Sequence, residues 1–174
     1  MWKQLFSALV CVIVLGGCAS VNVAYYAQEK PKLDLKQYFN GKFNAHGMFL
    51  DRSGKAIKRF TVTMDCTWIG DTGTLDESFV YSDGTTQKRI WTIKKTGDRY
   101  IGTASDVVGE AIGEASGNAL RWRYVMALPV DGKVYNVDFD DWMYLIDDKV
   151  MLNKSAMSKF GFHLGEVVLS FTKP

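Results

Sequence analysis

Hydrophobic and polar residues alternate along most of the chain after Phe39. In RFTVTMDCTW, residues 59–68, every second residue from Phe60 to Trp68 is apolar and the residues between them are polar. The same alternation recurs in EVVLSFTK, residues 166–173. A period of two is typical of a β-strand with one buried face. The pattern therefore predicts a chain built from strands.

Turn-forming residues separate these runs at spacings of roughly 8 to 20 residues. They occupy residues 51–54, 70–73, 82–84, 96–98, 117–118, 131–132 and 147–149. We therefore predict an all-β domain in which about eight to ten strands form an antiparallel up-and-down barrel. Closure suits so large a sheet because it removes the exposed edges. A two-sheet sandwich is the alternative.

The first residues have the layout of an export signal. Lys3 precedes an apolar run, which ends in LGGC at residues 15–18. This ending resembles the lipobox of bacterial lipoproteins, in which cleavage before the cysteine leaves Cys18 carrying acyl chains such as palmitate. The alternative is an ordinary cleaved signal peptide with an incidental cysteine, which would give a soluble exported protein.

These features predict a domain organisation and a location. Residues 1–17 form the signal peptide, residues 18–38 the lipidated cysteine and a tether, and residues 39–174 the β-barrel domain. Several acyl chains anchor a protein firmly, so a membrane is an expected partner. Because Ala19 rather than an aspartate follows Cys18, the resemblance to lipoproteins implies the outer membrane, on its periplasmic face.

Charge and cysteine content exclude several other classes of function. The net charge of the 174 residues is +2, with both signs mixed along the chain, and this does not indicate nucleic-acid binding. With Cys11 in the signal and Cys18 lipidated, Cys66 is left without a disulfide partner. Cys66 shares the apolar face of its strand, so we interpret it as a buried residue rather than a nucleophile.

Metal and cofactor sites are not indicated. His46 and His163 have no neighbour at metal-ligand spacing, and the sequence predicts no cofactor. The acidic string VDFDDWMYLIDD, residues 137–148, lacks the spacing of a calcium-binding loop and leaves a surface calcium site as an alternative.

The stretch GEAIGEASG, residues 109–117, places almost no side chain on one strand face. At a period of two, that face carries Gly109, Ala111, Gly113, Ala115 and Gly117. The next predicted strand has a bulky face with Trp122, Tyr124 and Met126. One interpretation is that large residues pack against small ones across the core. The other is that the bare face leaves a cavity for an apolar ligand.

Two charged residues lie on otherwise apolar strand faces. Glu77 shares its face with Phe79, and Arg89 shares its face with Trp91. The turn at residues 82–84 joins the two strands, so Glu77 and Arg89 should pair. One interpretation is an ion pair that fixes the strand register.

The second interpretation is a ligand site. Arg89, oriented by Glu77, would bind the carboxylate or phosphate head of a lipid or fatty acid, because a guanidinium suits both groups. The tail would then lie among five aromatic residues, Trp68, Phe79, Trp91, Trp122 and Tyr124. Asp106 is either a further inward acid or the cap of a turn.

Several segments, taken in order, resemble a family of small Gram-negative lipoproteins known as a domain of unknown function. They are GKFNAHGMFLDRSGKAIKRF, GTLDESFVYSDGTTQKRIW, GTASDVVGEAIGEASGNALRWRY, DFDDWMYLIDD and NKSAMSKFGFHLGEV. The resemblance runs over about residues 38–172. The resemblance implies a lipocalin-like (calycin) barrel, a fold that holds small hydrophobic molecules. The resemblance implies no catalytic residues.

These observations lead to three hypotheses for the function. The first is an outer-membrane lipoprotein whose barrel binds a lipid or other small hydrophobic ligand in envelope maintenance. The second is a cofactor-free lipid isomerase or hydratase that uses Glu77 or Asp106 as acid or base. The third is a non-binding structural partner of another envelope protein. The sequence indicates no oligomeric state.

Overall fold

The computed structural model describes residues 21–130 and 132–174, in which ten strands form one closed antiparallel barrel. The strands are β1 Gly41–Asp51, β2 Ala56–Ile69, β3 Thr72–Tyr81, β4 Thr86–Thr96, β5 Arg99–Thr103, β6 Val107–Ser116, β7 Ala119–Val130, β8 Lys133–Leu145, β9 Val150–Lys159 and β10 Phe162–Thr172. Each strand pairs with the next along the chain, and β1 pairs with β10. The predicted all-β up-and-down barrel is confirmed, and the sandwich is excluded.

The predicted signal peptide, residues 1–17, and Cys18 lie outside the described residues. Within the described ranges, no helix has the length and apolar character needed to cross a membrane.

Alternation along each strand directs every second side chain into the barrel. In β2, for example, Phe60, Val62, Met64 and Cys66 are buried, whereas the threonines between them are exposed. Burial raises the pKa of the Cys66 thiol to about 12, so the thiol stays protonated at neutral pH. This agrees with the interpretation of Cys66 as a packed core residue.

The segment before β1 closes one end of the barrel, which we call the lower end. A short helix, α1 Leu35–Tyr38, lies there, and its Lys36 pairs with Asp71 in the turn that joins β2 to β3. The backbone N–H of Leu33 donates to the carbonyl of Gly117 at 2.7 Å, and the Tyr38 hydroxyl donates to the carbonyl of Phe171 at 3.1 Å. Leu33, Leu35 and Tyr38 are all buried. Part of the segment assigned to a tether, residues 18–38, is therefore packed against the barrel.

The bare face of β6 is covered by a tryptophan. Gly113 pairs with Trp122 on β7, and a Cβ atom at Gly113 would lie 2.0 Å from the Trp122 indole. A Cβ atom at Gly102, on β5, would lie 2.6 Å from the same indole. Since real Cβ atoms do not approach so closely, only glycine fits under this ring. At these positions the structure supports the packing interpretation of the glycine stretch.

Replacing Gly113 by alanine should therefore destabilise the barrel. We expect Gly113→Ala to lower the free energy of unfolding by about 1–3 kcal/mol, because the new methyl group displaces the Trp122 ring. The measurement is equilibrium denaturation of the purified protein.

The double variant Gly113→Ala/Trp122→Leu supplies the control. If the ring is the cause, the two changes together should cost less than the sum of their separate effects. Additive losses would contradict a direct clash between the methyl group and the ring.

Candidate functional site

A cavity of about 160 Å³ lies inside the barrel. Most of its wall is apolar or aromatic, and includes Phe60, Phe79, Trp91, Trp122, Phe139 and Val167. Leu35 and Phe39 also line it, so the segment that closes the lower end forms its floor. The turns from β1 to β2 and from β3 to β4 lie at the opposite, upper end of the barrel. Among the described residues, no comparable segment crosses that end.

A polar network lies in the upper part of the interior. The Arg89 guanidinium donates from Nε to both oxygens of Asp106, at 3.0 and 2.9 Å, and from Nη2 to Oδ2 at 2.8 Å. Gln87 Nε2 also donates to Asp106, at 3.2 Å, and the Tyr81 hydroxyl donates to Gln87 Oε1 at 2.7 Å. This forked contact of Arg89 with Asp106 is charge-assisted and therefore stronger than a hydrogen bond between neutral groups.

Glu77 lies directly opposite Arg89 in the β3–β4 pair. Its Oε2 atom is 3.7 Å from Arg89 Nη1, which confirms the expected ion pair but exceeds hydrogen-bonding distance. Burial raises the pKa of Glu77 to about 7, although the positive charge of Arg89 opposes this effect. Glu77 is therefore a buried carboxyl group that lines the cavity and gains or loses a proton near neutral pH.

A second polar group lies on β8 and β9. Asp141 faces the cavity and accepts hydrogen bonds from the Asn153 amide and, at 3.4 Å, from the Tyr124 hydroxyl. Burial raises the pKa of Asp141 to about 7. Ser155 is the strand partner of Asp141 and also lines the cavity. Its hydroxyl is buried and has no hydrogen-bond partner among the described residues.

The structure brings together six of the seven residues predicted to bind a ligand. Glu77, Phe79, Arg89, Trp91, Trp122 and Tyr124 all line the cavity. Trp68 does not: its indole N–H donates to the Phe39 carbonyl at 2.7 Å, and its ring packs over Gly73. Trp68 therefore helps to close the barrel and lies outside the cavity wall.

Arg89 has a second acidic partner that lies closer than the expected one. Glu77 was expected to orient the guanidinium, but Asp106 makes the close forked contact and Glu77 lies farther away. Asp106 is contributed by the connection between β5 and β6. A connection between strands has no regular alternation of inward and outward residues, so the pattern in the sequence did not reveal the contact.

Asp141, Asn153 and Ser155 were not among the residues predicted to line a site. A signal for them exists, because Asp141 has the same strand parity as Val137 and Phe139, and Asn153 and Ser155 have the parity of Met151. A polar residue at an apolar position in an alternating strand is the pattern that had singled out Glu77 and Arg89.

The surface acids show no metal cluster. In the described residues no three histidine, cysteine, aspartate or glutamate side chains lie close enough to hold a metal ion. Asp140 instead accepts two hydrogen bonds from Arg121, at 2.7 and 2.6 Å.

Comparisons with known proteins agree with the fold. The model of a family described as "Protein of unknown function (DUF3833)" matches residues 12–173, and no curated protein matches the chain. A crystal structure of a protein with unknown function from the DUF3598 family of Nostoc punctiforme is similar over 84% of this chain, with 12% identity and a TM-score of 0.58. The match covers 51% of that protein, so the chain spans about half its length. This likeness shows a shared fold.

Two further structures have lower similarity. A de novo designed fluorescence-activating β-barrel has 12% identity and a TM-score of 0.45, with 82% of this chain and 99% of that chain covered. The structure of EF1p2_mFAP2b bound to DFHBI has 8% identity and a TM-score of 0.45, with 79% of this chain and 95% of that chain covered.

The buried carboxyl groups predict how stability depends on pH. The folded state holds the protons of Glu77 and Asp141 up to about pH 7, whereas the unfolded chain releases them near the ordinary values of 4.5 and 3.8. The stability that these two carboxyl groups contribute is thus greatest below their pKa values in the unfolded chain. It is lost as the pH rises through their pKa values in the folded state. The free energy of unfolding should therefore fall between about pH 5 and pH 8, and we expect Glu77→Gln to reduce this fall by on the order of 2–3 kcal/mol.

Chemical denaturation at several pH values measures this effect. Glu110→Gln is the matched control, because Glu110 is an exposed glutamate on β6. An identical pH profile in Glu77→Gln and the wild type would contradict a raised pKa for Glu77.

Proposed function

The chain belongs to the DUF3833 family of proteins of unknown function, and we propose that its barrel binds a small hydrophobic molecule in the interior cavity. The observation that carries this proposal is an apolar, aromatic-lined cavity with a few polar groups converging on it. Ligand sites in proteins share this composition, because the apolar wall supplies affinity and the polar groups fix orientation.

The volume of the cavity limits the size of the ligand. At about 160 Å³ it is close to an engineered cavity of about 150 Å³ that binds benzene. It is smaller than the roughly 300–1,000 Å³ of typical drug-sized sites. The interior therefore suits a compact ring or a short acyl segment. A longer acyl chain, as in a fatty acid, requires that the rest of the chain leave through the upper end.

The proposal includes a membrane anchor at Cys18. Its support is the LGGC ending at residues 15–18, after a single lysine and an apolar run. Acyl chains on Cys18 would hold the barrel at the outer membrane, on the periplasmic face, which is a suitable place to bind hydrophobic molecules of the envelope.

A second candidate function is turnover of a lipid by an isomerase or hydratase. The observation that favours it is Glu77, whose pKa of about 7 suits a group that both accepts and donates protons at neutral pH. Under this hypothesis Glu77 acts from inside the cavity. Asp106 is a weaker choice, because both of its oxygens already accept hydrogen bonds from Arg89.

Filling part of the cavity should weaken ligand binding. Val167 lines the cavity, whereas Val168, the next residue of β10, lies on the outer surface. We expect Val167→Phe to remove part of the free volume and to weaken binding of benzene or toluene by at least about tenfold, with Val168→Phe unchanged. Titration calorimetry on the purified protein measures the affinities, and circular dichroism confirms that both variants fold.

Two outcomes would redirect the proposal. If no small apolar probe binds the wild type, the barrel is a non-binding structural protein. If native mass spectrometry of protein from its own membrane shows a lipid that the wild type alters and Glu77→Gln leaves unaltered, the enzyme is supported instead.

The anchor is tested by fractionation of cells. We expect Cys18→Ser to move the protein from the outer membrane to the soluble periplasmic fraction, because the acyl chains supply the membrane affinity. Cys11→Ser is the matched control, since it changes a cysteine that is removed with the signal. Membrane association that persists in Cys18→Ser would refute the anchor without bearing on the cavity.

A further inference from the structure

We propose that the cavity selects a small hydrophobic amine, a molecule with an apolar body and a protonated nitrogen, rather than a fatty acid. The proposal rests on the proposed binding function and names the ligand class of the same site. Three features of the described residues carry it: the charges that line the cavity, an unpaired hydroxyl group beside Asp141, and the aromatic wall.

The first feature is an excess of acidic over basic groups. Arg89 is the single basic side chain among the described residues that line the cavity, whereas Glu77 and Asp141 both line it. Asp106 already binds Arg89 through the forked contact, with its shortest distance at 2.8 Å. The positive charge of the guanidinium is therefore already balanced by Asp106, which weakens its attraction for the head group of a fatty acid. In their ionised forms, Glu77 and Asp141 would also repel a ligand carboxylate.

The two remaining carboxyl groups are deeply buried. The exposed fractions of Glu77 and Asp141 are 8% and 6%. Asp141 has hydrogen bonds to neutral groups, Asn153 and Tyr124. Within residues 21–130 and 132–174, the only polar contact of the Glu77 side chain is the distant one with Arg89 at 3.7 Å. A buried carboxylate without a close cation is costly, and a cationic ligand would remove that cost. Besides burial, the negative charge of Asp141 also raises the pKa of Glu77.

The second feature is the hydroxyl group of Ser155. Ser155 is 2% exposed, lines the cavity and pairs with Asp141 across β8 and β9. Its Oγ atom has no hydrogen-bond partner in the described part of the chain. Buried polar atoms nearly always have a partner, so this atom points to a ligand group. An ammonium group has three donors and can bind the Ser155 oxygen together with the Asp141 carboxylate.

The third feature is the aromatic wall beside these groups. Tyr124 stacks on Phe139 with ring centroids 5.1 Å apart, and Trp91 meets Tyr124 edge to face at 5.6 Å. Both acids and these rings line the same cavity. Aromatic faces attract cations as well as apolar groups, and the attraction is stronger away from water. A ligand with a ring and an ammonium group matches both parts of the wall.

Four probes of nearly equal size separate the ligand classes: toluene, benzyl alcohol, benzylamine and benzoate. Their affinities for the full chain, measured by titration calorimetry at neutral pH, give the order of preference. We expect benzylamine to bind at least about tenfold more tightly than benzyl alcohol, because it makes a charge-assisted hydrogen bond, and benzoate to bind most weakly. Benzoate affinity equal to or above that of benzylamine would overturn the proposal.

Variants then assign the preference to the carboxyl groups. We expect Asp141→Asn to reduce the ratio of benzylamine to benzyl alcohol affinity by about fivefold or more while benzyl alcohol still binds. Asp138→Asn is the control, since Asp138 is an exposed acid on β8. If Asp141→Asn does not fold, Ser155→Ala and Glu77→Gln provide the same comparison. A ratio unchanged in every variant that folds would refute the assignment.

The pH dependence supplies an independent measurement on the wild type. The titratable and charged groups that face the two acids are Cys66, Tyr81, Arg89, Asp106 and Tyr124. Burial raises the pKa of both acids to about 7. Since a bound cation favours their ionised forms, benzylamine affinity should rise from about pH 6 to about pH 8, and benzyl alcohol affinity should not.

The pattern of results distinguishes the two proposals. If none of the four probes binds, the binding function itself fails. If toluene and benzyl alcohol bind and benzylamine has no advantage, the binding function stands and the selection of amines is wrong.

Discussion

Pairing of β1 with β10 is the constraint on which the rest of the structure depends. Eight residues of β1, from Asn44 to Asp51, pair with β10 and close the sheet. The seam requires Gly47, because a Cβ atom there would lie 2.5 Å from the Phe60 ring and 2.7 Å from Leu169. Closure turns the inner faces of all ten strands toward one another, so every inward polar residue must find its partner inside the barrel or in a ligand.

Some inward polar residues have close partners inside the barrel and others do not. Arg89 and Asp106 satisfy each other through the forked contact, and the network extends through Gln87 to Tyr81. Glu77, Asp141 and Ser155 are left with distant, neutral or no partners among the described residues. In a protein interior, incompletely satisfied polar groups beside a cavity favour a binding site over simple packing. The same groups argue against a carboxylate ligand, which the guanidinium alone had suggested.

Alternation was a good guide wherever a residue belongs to a regular strand. It placed Glu77 opposite Arg89 and directed Phe79, Trp91, Trp122 and Tyr124 to the interior, as the structure shows. It failed where a contact depends on an irregular segment or on the filling of space. Asp106 binds Arg89 from a turn. Trp68 donates a hydrogen bond to the carbonyl of Phe39, which belongs to the segment that closes the lower end. Neither effect has a periodic signal, because both depend on residues distant in the chain.

The sequence by itself determined the class of fold and the inward faces of the strands, because these follow from a local period of two. The tertiary structure alone decided the volume that is left inside. Trp122 covers the bare face at Gly113, and a cavity of about 160 Å³ persists beside it. It also decided that Asp106 makes the close ionic contact with Arg89. The free volume and the ion pairs depend on side chains from many strands, so they exist only once the barrel has closed.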